Sequence, residues 1–117
     1  MVLVEVAEPW SPAQATERIR AIAREERFTP ALKGHAKDQL EDRSLIMGDL
    51  LFLLRNGFVY DAPEKATREP YWKYKIQCTT PNSNNREVRA VSIPDWRRKG
   101  IKVVTIMWAD EPIVRGA

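Results

Sequence analysis

The amino-acid sequence predicts an α+β domain in which N-terminal helices cover one face of an antiparallel sheet and leave the other face open. Helical apolar spacing dominates the first half of the chain, and after Gly57 the pattern changes to the period of two that is typical of strands. The chain has 117 residues, the commonest size for one compact domain, and 44% of them are hydrophobic. Helices followed by a meander of strands favour separate layers of helix and sheet.

The first predicted helix begins after Ser11 and ends near Arg27. Ser11 is a suitable N-cap, Pro12 is favoured at the first helical position, and Gln14 completes a capping box. Few apolar residues follow, so we expect this helix to lie at the periphery. The Thr-Pro dipeptide that includes Pro30 ends it, because the residue before a proline avoids the helical conformation.

Two further helices are predicted before the sheet. The second runs over about 32–43 and the third over 45–56. Ser44 is the expected N-cap of the third helix, and Gly57 is expected just beyond its end. The third helix is apolar on nearly every side, which predicts that it forms the centre of the core.

The strands follow in the second half of the chain. They are predicted over 58–60, 71–79, 87–93 and 101–108, with turn-forming residues between them. In 71–79, alternation places the even-numbered residues from Trp72 to Cys78 on one face and the odd-numbered residues on the other. We expect the even-numbered face to pack in the core, with Cys78 as a packing residue rather than a nucleophile.

Positive charge is concentrated in the second half of the chain. The formal net charge is only +3, but residues 65–102 contain ten Lys and Arg against three Asp and Glu. Aromatic residues are interleaved with these cations, at Tyr71, Trp72, Tyr74 and Trp96. Cations neutralise phosphates and aromatic faces stack on unpaired bases, so the segment is typical of a nucleic-acid contact surface. The alternative is a solvated sheet face whose charges discourage aggregation.

The composition disfavours several other classes of protein. One Cys and one His do not supply the ligand clusters of a zinc site, and there is no Gly-rich phosphate loop, so neither a metal nor another cofactor is expected. The longest apolar segment, around 46–54, is too short to span a bilayer. Residues 1–5 lack the cationic start and the long apolar stretch of a secretory signal, and Cys78 has no internal disulfide partner. These features predict a cytoplasmic protein.

The single histidine belongs to the first candidate constellation. His35, Gln39 and Arg43 are spaced four residues apart, so a helix places them in a line on one face. An acid–base group that titrates near neutral pH, beside a guanidinium, suits proton transfer next to a phosphate. The structural alternative is a histidine hydrogen-bonded near the start of its helix, with Arg43 paired to an acid.

The second candidate constellation lies on the polar face of the strand 71–79. Lys73 and Lys75 share that face with Tyr71, and Arg89 can join them from the neighbouring strand. Such a cluster can neutralise the pentavalent phosphate that forms when a ribose 2′-hydroxyl attacks its own phosphodiester, a reaction that needs no metal. The structural alternative is a solvated face without function.

Three segments resemble a bacterial family that is catalogued as a domain of unknown function and grouped with RelE- and BrnT-like toxins. They are 35–43, 48–57 and 103–108, with the sequences HAKDQLEDR, GDLLFLLRNG and VVTIMW. The resemblance divides the chain into an N-terminal helical extension, 1–34, and a toxin-like domain, 35–117. It implies a RelE-like fold with a curved antiparallel sheet, metal-independent RNA cleavage, and a DNA-binding antitoxin as partner. Gln39 stands where the family pattern often has Arg, which removes one cation from the implied site.

The leading hypothesis is therefore a metal-independent endoribonuclease toxin of a type II toxin–antitoxin system. We expect its active site where the helix bearing His35 meets the strand bearing Lys73. Either of these two residues would transfer protons, while Lys75, Arg43 and Arg89 would neutralise the phosphate. The residues expected to bind RNA are Tyr71, Arg89, Arg97, Arg98 and Lys99. The alternatives are a non-catalytic nucleic-acid-binding module and a protein-interaction module on the same sheet face.

Overall fold

Residues 7–111, which the computed structural model describes, form three helices and six strands. Their bounds are α1 (Pro12–Ala23), β1 (Ala31–Leu32), α2 (Ala36–Asp42), α3 (Met47–Asn56), β2 (Phe58–Val59), β3 (Glu64–Lys65), β4 (Trp72–Thr79), β5 (Glu87–Asp95) and β6 (Gly100–Trp108). The N-terminal residues used to assess a secretory signal lie outside the described part of the chain. No helix within 7–111 is long and apolar enough to cross a membrane.

The strands form one sheet in the order β1-β6-β5-β4-β2, and β3 pairs with the start of β4. Every pair is antiparallel except β1 with β6, which run parallel. The predicted class is thereby confirmed as a mixed α+β fold with a mostly antiparallel sheet. The three long strands β4, β5 and β6 fall where the sequence predicted strands, with bounds extended or shortened by at most a few residues.

Strand β1 corrects the predicted second helix, which was expected to begin near Leu32. Leu32 instead lies opposite Val103 of β6, and the Lys33 amide donates to the Val103 carbonyl at 2.9 Å. Gly34 then adopts a φ of +57°, a conformation that glycine tolerates, and α2 begins only at Ala36. Backbone hydrogen bonding to the edge of β6 therefore overrides helix propensity in this segment.

Helix α1 begins as predicted and ends earlier than predicted, at Ala23. The Ser11 hydroxyl accepts from the Gln14 amide, and the Gln14 side chain accepts from the Ser11 amide, which is the predicted capping box. At the other end, Arg24 donates to the Arg55 carbonyl of α3, and Arg55 donates to the Ala23 carbonyl. Arginines suit helix C-termini, where carbonyls lack partners, so the two helix ends stabilise each other.

Helix α3 begins at Met47, and its start is capped by Asp49 rather than by the predicted Ser44. Ser44 has a φ of +55°, which is incompatible with the extended backbone of an N-cap. The buried Asp49 carboxylate accepts from the Ile46 amide and from the Asn82 amide, each at 2.9 Å. Burial raises the pKa of this carboxyl, but the hydrogen bonds outweigh burial and hold the pKa below its ordinary value.

The core lies between the helices and one face of the sheet. Tyr74 and Ile76, from the even-numbered face of β4, are fully buried, as alternation predicted. The Tyr74 hydroxyl accepts from the Trp10 amide at 3.0 Å, and the two rings stack with their centroids 5.5 Å apart. Cys78 packs against this core, and burial raises the pKa of its thiol to about 11, which disfavours the nucleophilic thiolate. The helices therefore cover the even-numbered face of β4.

Candidate nucleic-acid interface

We call the sheet face opposite the helices the open face. Because residues paired across neighbouring strands point to the same side, the register assigns its members. They are Glu64 from β3, Lys73, Lys75, Gln77 and Thr79 from β4, Glu87, Arg89, Val91, Ile93 and Asp95 from β5, and Lys102, Thr105 and Met107 from β6. The structure thus brings the predicted Lys73, Lys75 and Arg89 onto one surface.

The cations of the open face differ in their partners. Lys73, Lys75 and Lys102 form no ion pair with any other residue of 7–111. Arg89 is held by Gln77, because its Nε donates to the Gln77 Oε1 at 3.0 Å. An anion that approaches this face meets three ammonium groups that have no carboxylate of residues 7–111 within ion-pair distance, and one oriented guanidinium.

A cavity of about 160 Å³ lies on the open face beside β3, and we call it the lysine cavity. Its lining residues are Ala62, Glu64, Lys73, Lys75, Val91, Val104 and Thr105. Glu64 of β3 lies directly opposite Lys73 of β4, which places a carboxylate and an ammonium group side by side on one face. The cavity therefore combines two cations that can hold a phosphate with a carboxylate that can accept a proton.

Glu64 is a site residue that sequence reasoning missed. Glu64 lies between the predicted strands 58–60 and 71–79, where turn-forming residues were expected, and the two-residue strand β3 is too short to show alternation. Only the pairing of β3 with β4 brings Glu64 to Lys73. No periodicity in so short a segment could have predicted this contact.

Helix α2 lies along the edge of β6 beyond the end of β1. The Gln39 Oε1 accepts from the Ile106 amide at 2.7 Å, and the Glu111 Oε1 accepts from the Trp108 amide at 2.9 Å. Arg43 in turn holds Glu111 with two hydrogen bonds, at 2.7 and 2.8 Å. These side chains replace the bonds of a further strand, so they protect the edge of β6 from pairing with another chain.

This position of α2 corrects the predicted active-site junction. The helix contacts β6, and β5 separates β6 from β4, so the helix does not meet the strand that bears Lys73 and Lys75. Arg43 is paired with an acid, as the structural alternative for this residue predicted. Gln39 shares its helix face with Arg43, as the spacing predicted, but both side chains are occupied at the sheet edge.

His35 lies just before α2 and is separated from this hydrogen-bonded edge. Its side chain is 88% exposed, makes no capping hydrogen bond, and has its Nδ1 4.0 Å from Asp38. The preceding Gly34 lies beside β6, where a Cβ atom on Gly34 would be 3.9 Å from the Val104 carbonyl. Val104 also lines the lysine cavity, so the residue before His35 lies next to a strand residue that borders this cavity.

Arg43→Ala is expected to lower the free energy of unfolding by about 1–3 kcal/mol at neutral pH, the range for charge-assisted hydrogen bonds in a partly buried pair. The Arg43 and Glu111 side chains are 17% and 26% exposed, so water screens them only in part. Urea unfolding of the two proteins measures the difference.

The stabilisation by this pair is also expected to depend on pH. The Arg43 hydrogen bond holds the pKa of Glu111 below its ordinary value. The stabilisation is therefore complete above the unfolded-state pKa and is lost as the pH falls through the folded-state pKa. Equal stabilities at neutral pH, or a difference that grows in acid, would contradict a structural role for Arg43.

The turn between β5 and β6 carries other cations that were predicted to bind RNA. The Lys99 Nζ lies 3.2 Å from a carboxylate oxygen of Glu25, so this lysine is paired with the segment after α1. The Arg97 guanidinium lies 5.8 Å from the centroid of the Trp96 ring. Lys99 is thereby partly neutralised, whereas the charge of Arg97 stays available beside an aromatic ring.

Asp95 organises the end of the open face nearest this turn. The Tyr71 hydroxyl donates to the Asp95 Oδ2 at 3.1 Å, and the Arg98 amide donates to the Oδ1 at 3.4 Å. The Arg98 guanidinium is 3.9 Å from the same carboxylate and is 85% exposed. The predicted RNA-binding residues Tyr71 and Arg98 are therefore brought together by an acid that the sequence did not single out.

Comparison with protein families gives a match to a domain family. Residues 32–108 match the model of the family described as "Domain of unknown function (DUF4258)", which is more than half of the chain. The matched segment includes α2, α3 and the strands β2 to β6, and therefore the whole of the lysine cavity. No curated protein and no solved structure matches the chain.

Proposed function

Because the chain belongs to the DUF4258 family, whose matched segment contains the open face, we propose that it acts through that face as a metal-independent endoribonuclease. The lysine cavity is the observation that supports this proposal. It places Lys73, Lys75 and Glu64 around one space, and neither lysine has an ion pair within the described range. The ammonium groups of both lysines can neutralise the negative charge of a phosphodiester bound in this cavity.

The reaction that fits these groups is attack by a ribose 2′-hydroxyl on the adjacent phosphorus. Glu64 accepts the proton of the 2′-hydroxyl, and the ammonium groups of Lys73 and Lys75 neutralise the charge that develops on the phosphoryl oxygens. The bond from phosphorus to the 5′-oxygen then breaks. The products are a 2′,3′-cyclic phosphate and a free 5′-hydroxyl. The reaction needs neither water as a nucleophile nor a metal ion.

The leaving 5′-oxygen needs a proton, and we assign its delivery to His35. This residue follows Gly34, which lies beside Val104 at the β6 side of the lysine cavity. Its exposed side chain is free of the hydrogen bonds that occupy Gln39 and Arg43. In its protonated form, the imidazole can donate that proton as a general acid.

The resemblance to RelE- and BrnT-like toxins adds a partner and a compartment to this proposal. A toxin of this kind has a RelE-like fold, acts on cytoplasmic RNA, and is held inactive by a DNA-binding antitoxin. Inspection of the neighbouring genes tests this partner, and a short gene for a DNA-binding protein directly beside the gene for this chain would support the toxin assignment. Its absence leaves an endoribonuclease without that partner.

We expect purified protein to cleave end-labelled single-stranded RNA in EDTA and to leave a 2′,3′-cyclic phosphate, because every group of the proposed mechanism belongs to the chain or the substrate. DNA of the same sequence lacks the attacking hydroxyl and should remain intact. Gel electrophoresis and mass spectrometry of the fragments measure both results. Cleavage that EDTA abolishes and magnesium restores would refute the mechanism.

A non-catalytic RNA-binding module is the second candidate. It is favoured by the engagement of Gln39 and Arg43 at the edge of β6, which removes two predicted groups from any active site. This candidate predicts salt-dependent binding of RNA to the open face and intact RNA after prolonged incubation. The EDTA experiment therefore separates the two functions directly.

A further inference from the structure

A second cavity, of about 250 Å³, lies at the end of the open face beside the β5–β6 turn, and we call it the turn cavity. Its lining includes an aromatic ring, an apolar side chain and a carboxylate, from Tyr71, Ile93 and Asp95. Cations from three segments also line it, namely Arg68, Arg98 and Lys102. A mostly apolar cavity with few polar groups that converge on it is the usual form of a small-ligand site.

We propose that the turn cavity binds a guanine base of the RNA strand whose phosphate occupies the lysine cavity. The proposal rests on the proposed function, because it names a substrate feature for the same open face. It assigns to Asp95 the selection of the base, and to Tyr71 a surface on which the base stacks.

The two cavities are arranged along the same strands. Tyr71 and Lys73 are two residues apart near the start of β4, and Ile93 and Val91 are two residues apart on β5. Two residues of a strand extend about 7 Å, so the cavities are neighbours along the sheet. One extended nucleotide spans such a distance, which lets a base enter the turn cavity while an adjoining phosphate lies between the two lysines.

The hydrogen bonds of Asp95 determine which base fits. A carboxylate only accepts hydrogen bonds and has about four acceptor positions. The Tyr71 hydroxyl and the Arg98 amide occupy one position on each oxygen, at 3.1 and 3.4 Å, while the Arg98 guanidinium lies 3.9 Å from Oδ2 and makes no hydrogen bond to it. One position on each oxygen is therefore left for a ligand, and the carboxylate lines the turn cavity.

Guanine is the base that offers two adjacent donors, N1–H and the 2-amino group, on its Watson–Crick edge. These donors match the two remaining acceptor positions of one carboxylate. Its O6 and N7 are acceptors and suit a guanidinium or ammonium group, such as those of Arg68 and Lys102. Adenine and cytosine each present one amino group beside a ring acceptor, which would face the negative carboxylate, so they fit less well.

The test uses heptanucleotides that contain 2′-fluoro groups, so that the attacking hydroxyl is absent and binding is measured without cleavage. Six positions are adenine, and the central base is guanine, inosine, adenine, cytosine or uracil. Fluorescence anisotropy at low salt is expected to show guanine bound about 10-fold more tightly than adenine, the size of a two-bond base contact. Inosine lacks the 2-amino group and is expected to bind with intermediate affinity.

Asp95→Asn is expected to abolish the preference for guanine, because an amide presents a donor where the base also presents one. The amide oxygen still accepts from the Arg98 amide, so the turn between β5 and β6 keeps its contact. Asp42→Asn is the matched control, since it makes the same charge change at an exposed position on α2. It should keep the preference.

The outcomes separate this proposal from the proposed function. Tight binding without a base preference, or a guanine preference that survives in Asp95→Asn, overturns the guanine site and leaves RNA binding by the open face intact. Failure of all five heptanucleotides to bind overturns the proposed function, and the guanine site with it. A preference that is present in the wild type and in Asp42→Asn but lost in Asp95→Asn supports the proposal.

Discussion

Glu64→Gln is expected to lower the turnover of RNA cleavage by about 10²–10⁴-fold, the usual contribution of a general base. Glutamine keeps the size and the polarity of the side chain but cannot accept the 2′-hydroxyl proton. The KM should change little, because Lys73 and Lys75 still hold the phosphate. Single-turnover cleavage at saturating RNA measures the effect on chemistry apart from binding.

Two further variants test whether the loss of turnover is specific to the proposed active site. Glu17→Gln removes the same charge from an exposed position on α1, on the helix side of the fold, and should cleave RNA at the wild-type rate. His35→Ala should also lose turnover, and added imidazole should restore part of it, because free imidazole can donate the missing proton. If folded Glu64→Gln and His35→Ala both cleave at the wild-type rate, the lysine cavity is not the active site.

Replacement of Lys73 and Lys75 by alanine together is expected to weaken RNA binding and to flatten its dependence on salt. Each neutralised phosphate of a single strand contributes about 0.7 to the slope of log affinity against log salt concentration, so the double variant should lose about 1.4 from that slope. The four cations of the open face correspond to a wild-type slope of about −3 by the same rule. Binding titrations over a range of salt concentrations measure both slopes.

Arg27→Ala combined with Lys37→Ala is the matched control for this double variant. It also removes two exposed positive charges, but from the turn after α1 and from α2 rather than from the open face. Its slope should equal that of the wild type. Equal losses in the two double variants would mean that net charge, and not the open face, governs RNA affinity.

The pattern within single elements was sufficient to predict much of this architecture. Alternation in β4 predicted that Tyr74 is buried and that Lys73 and Lys75 share the opposite face. Ser11 and Gln14 predicted the start of α1, because a capping box involves residues only three positions apart. These predictions succeeded since each depends on backbone geometry over a few neighbouring residues.

The failed predictions concern segments whose conformation depends on distant partners. Leu32 was placed in a helix, yet it pairs with β6 because the edge of that strand offers backbone hydrogen bonds. Ser44 was predicted as an N-cap, yet Asp49 caps α3 and binds the Asn82 amide of a distant loop. Local propensity is a weak preference, and tertiary hydrogen bonds override it.

The sequence by itself determined the mixed class of the fold, the positions of its long strands along the chain, and the common face of Lys73 and Lys75, because periods of 3.6 and 2 residues assign faces without knowledge of the partner. Only the tertiary structure decided that α2 lies on β6, that Arg43 pairs with Glu111, and that Glu64 lies opposite Lys73. The physical reason is that strand order and the docking of a helix depend on contacts between residues far apart in the chain. No local period encodes such contacts, so the full set of residues in the candidate site could be identified only from the tertiary structure.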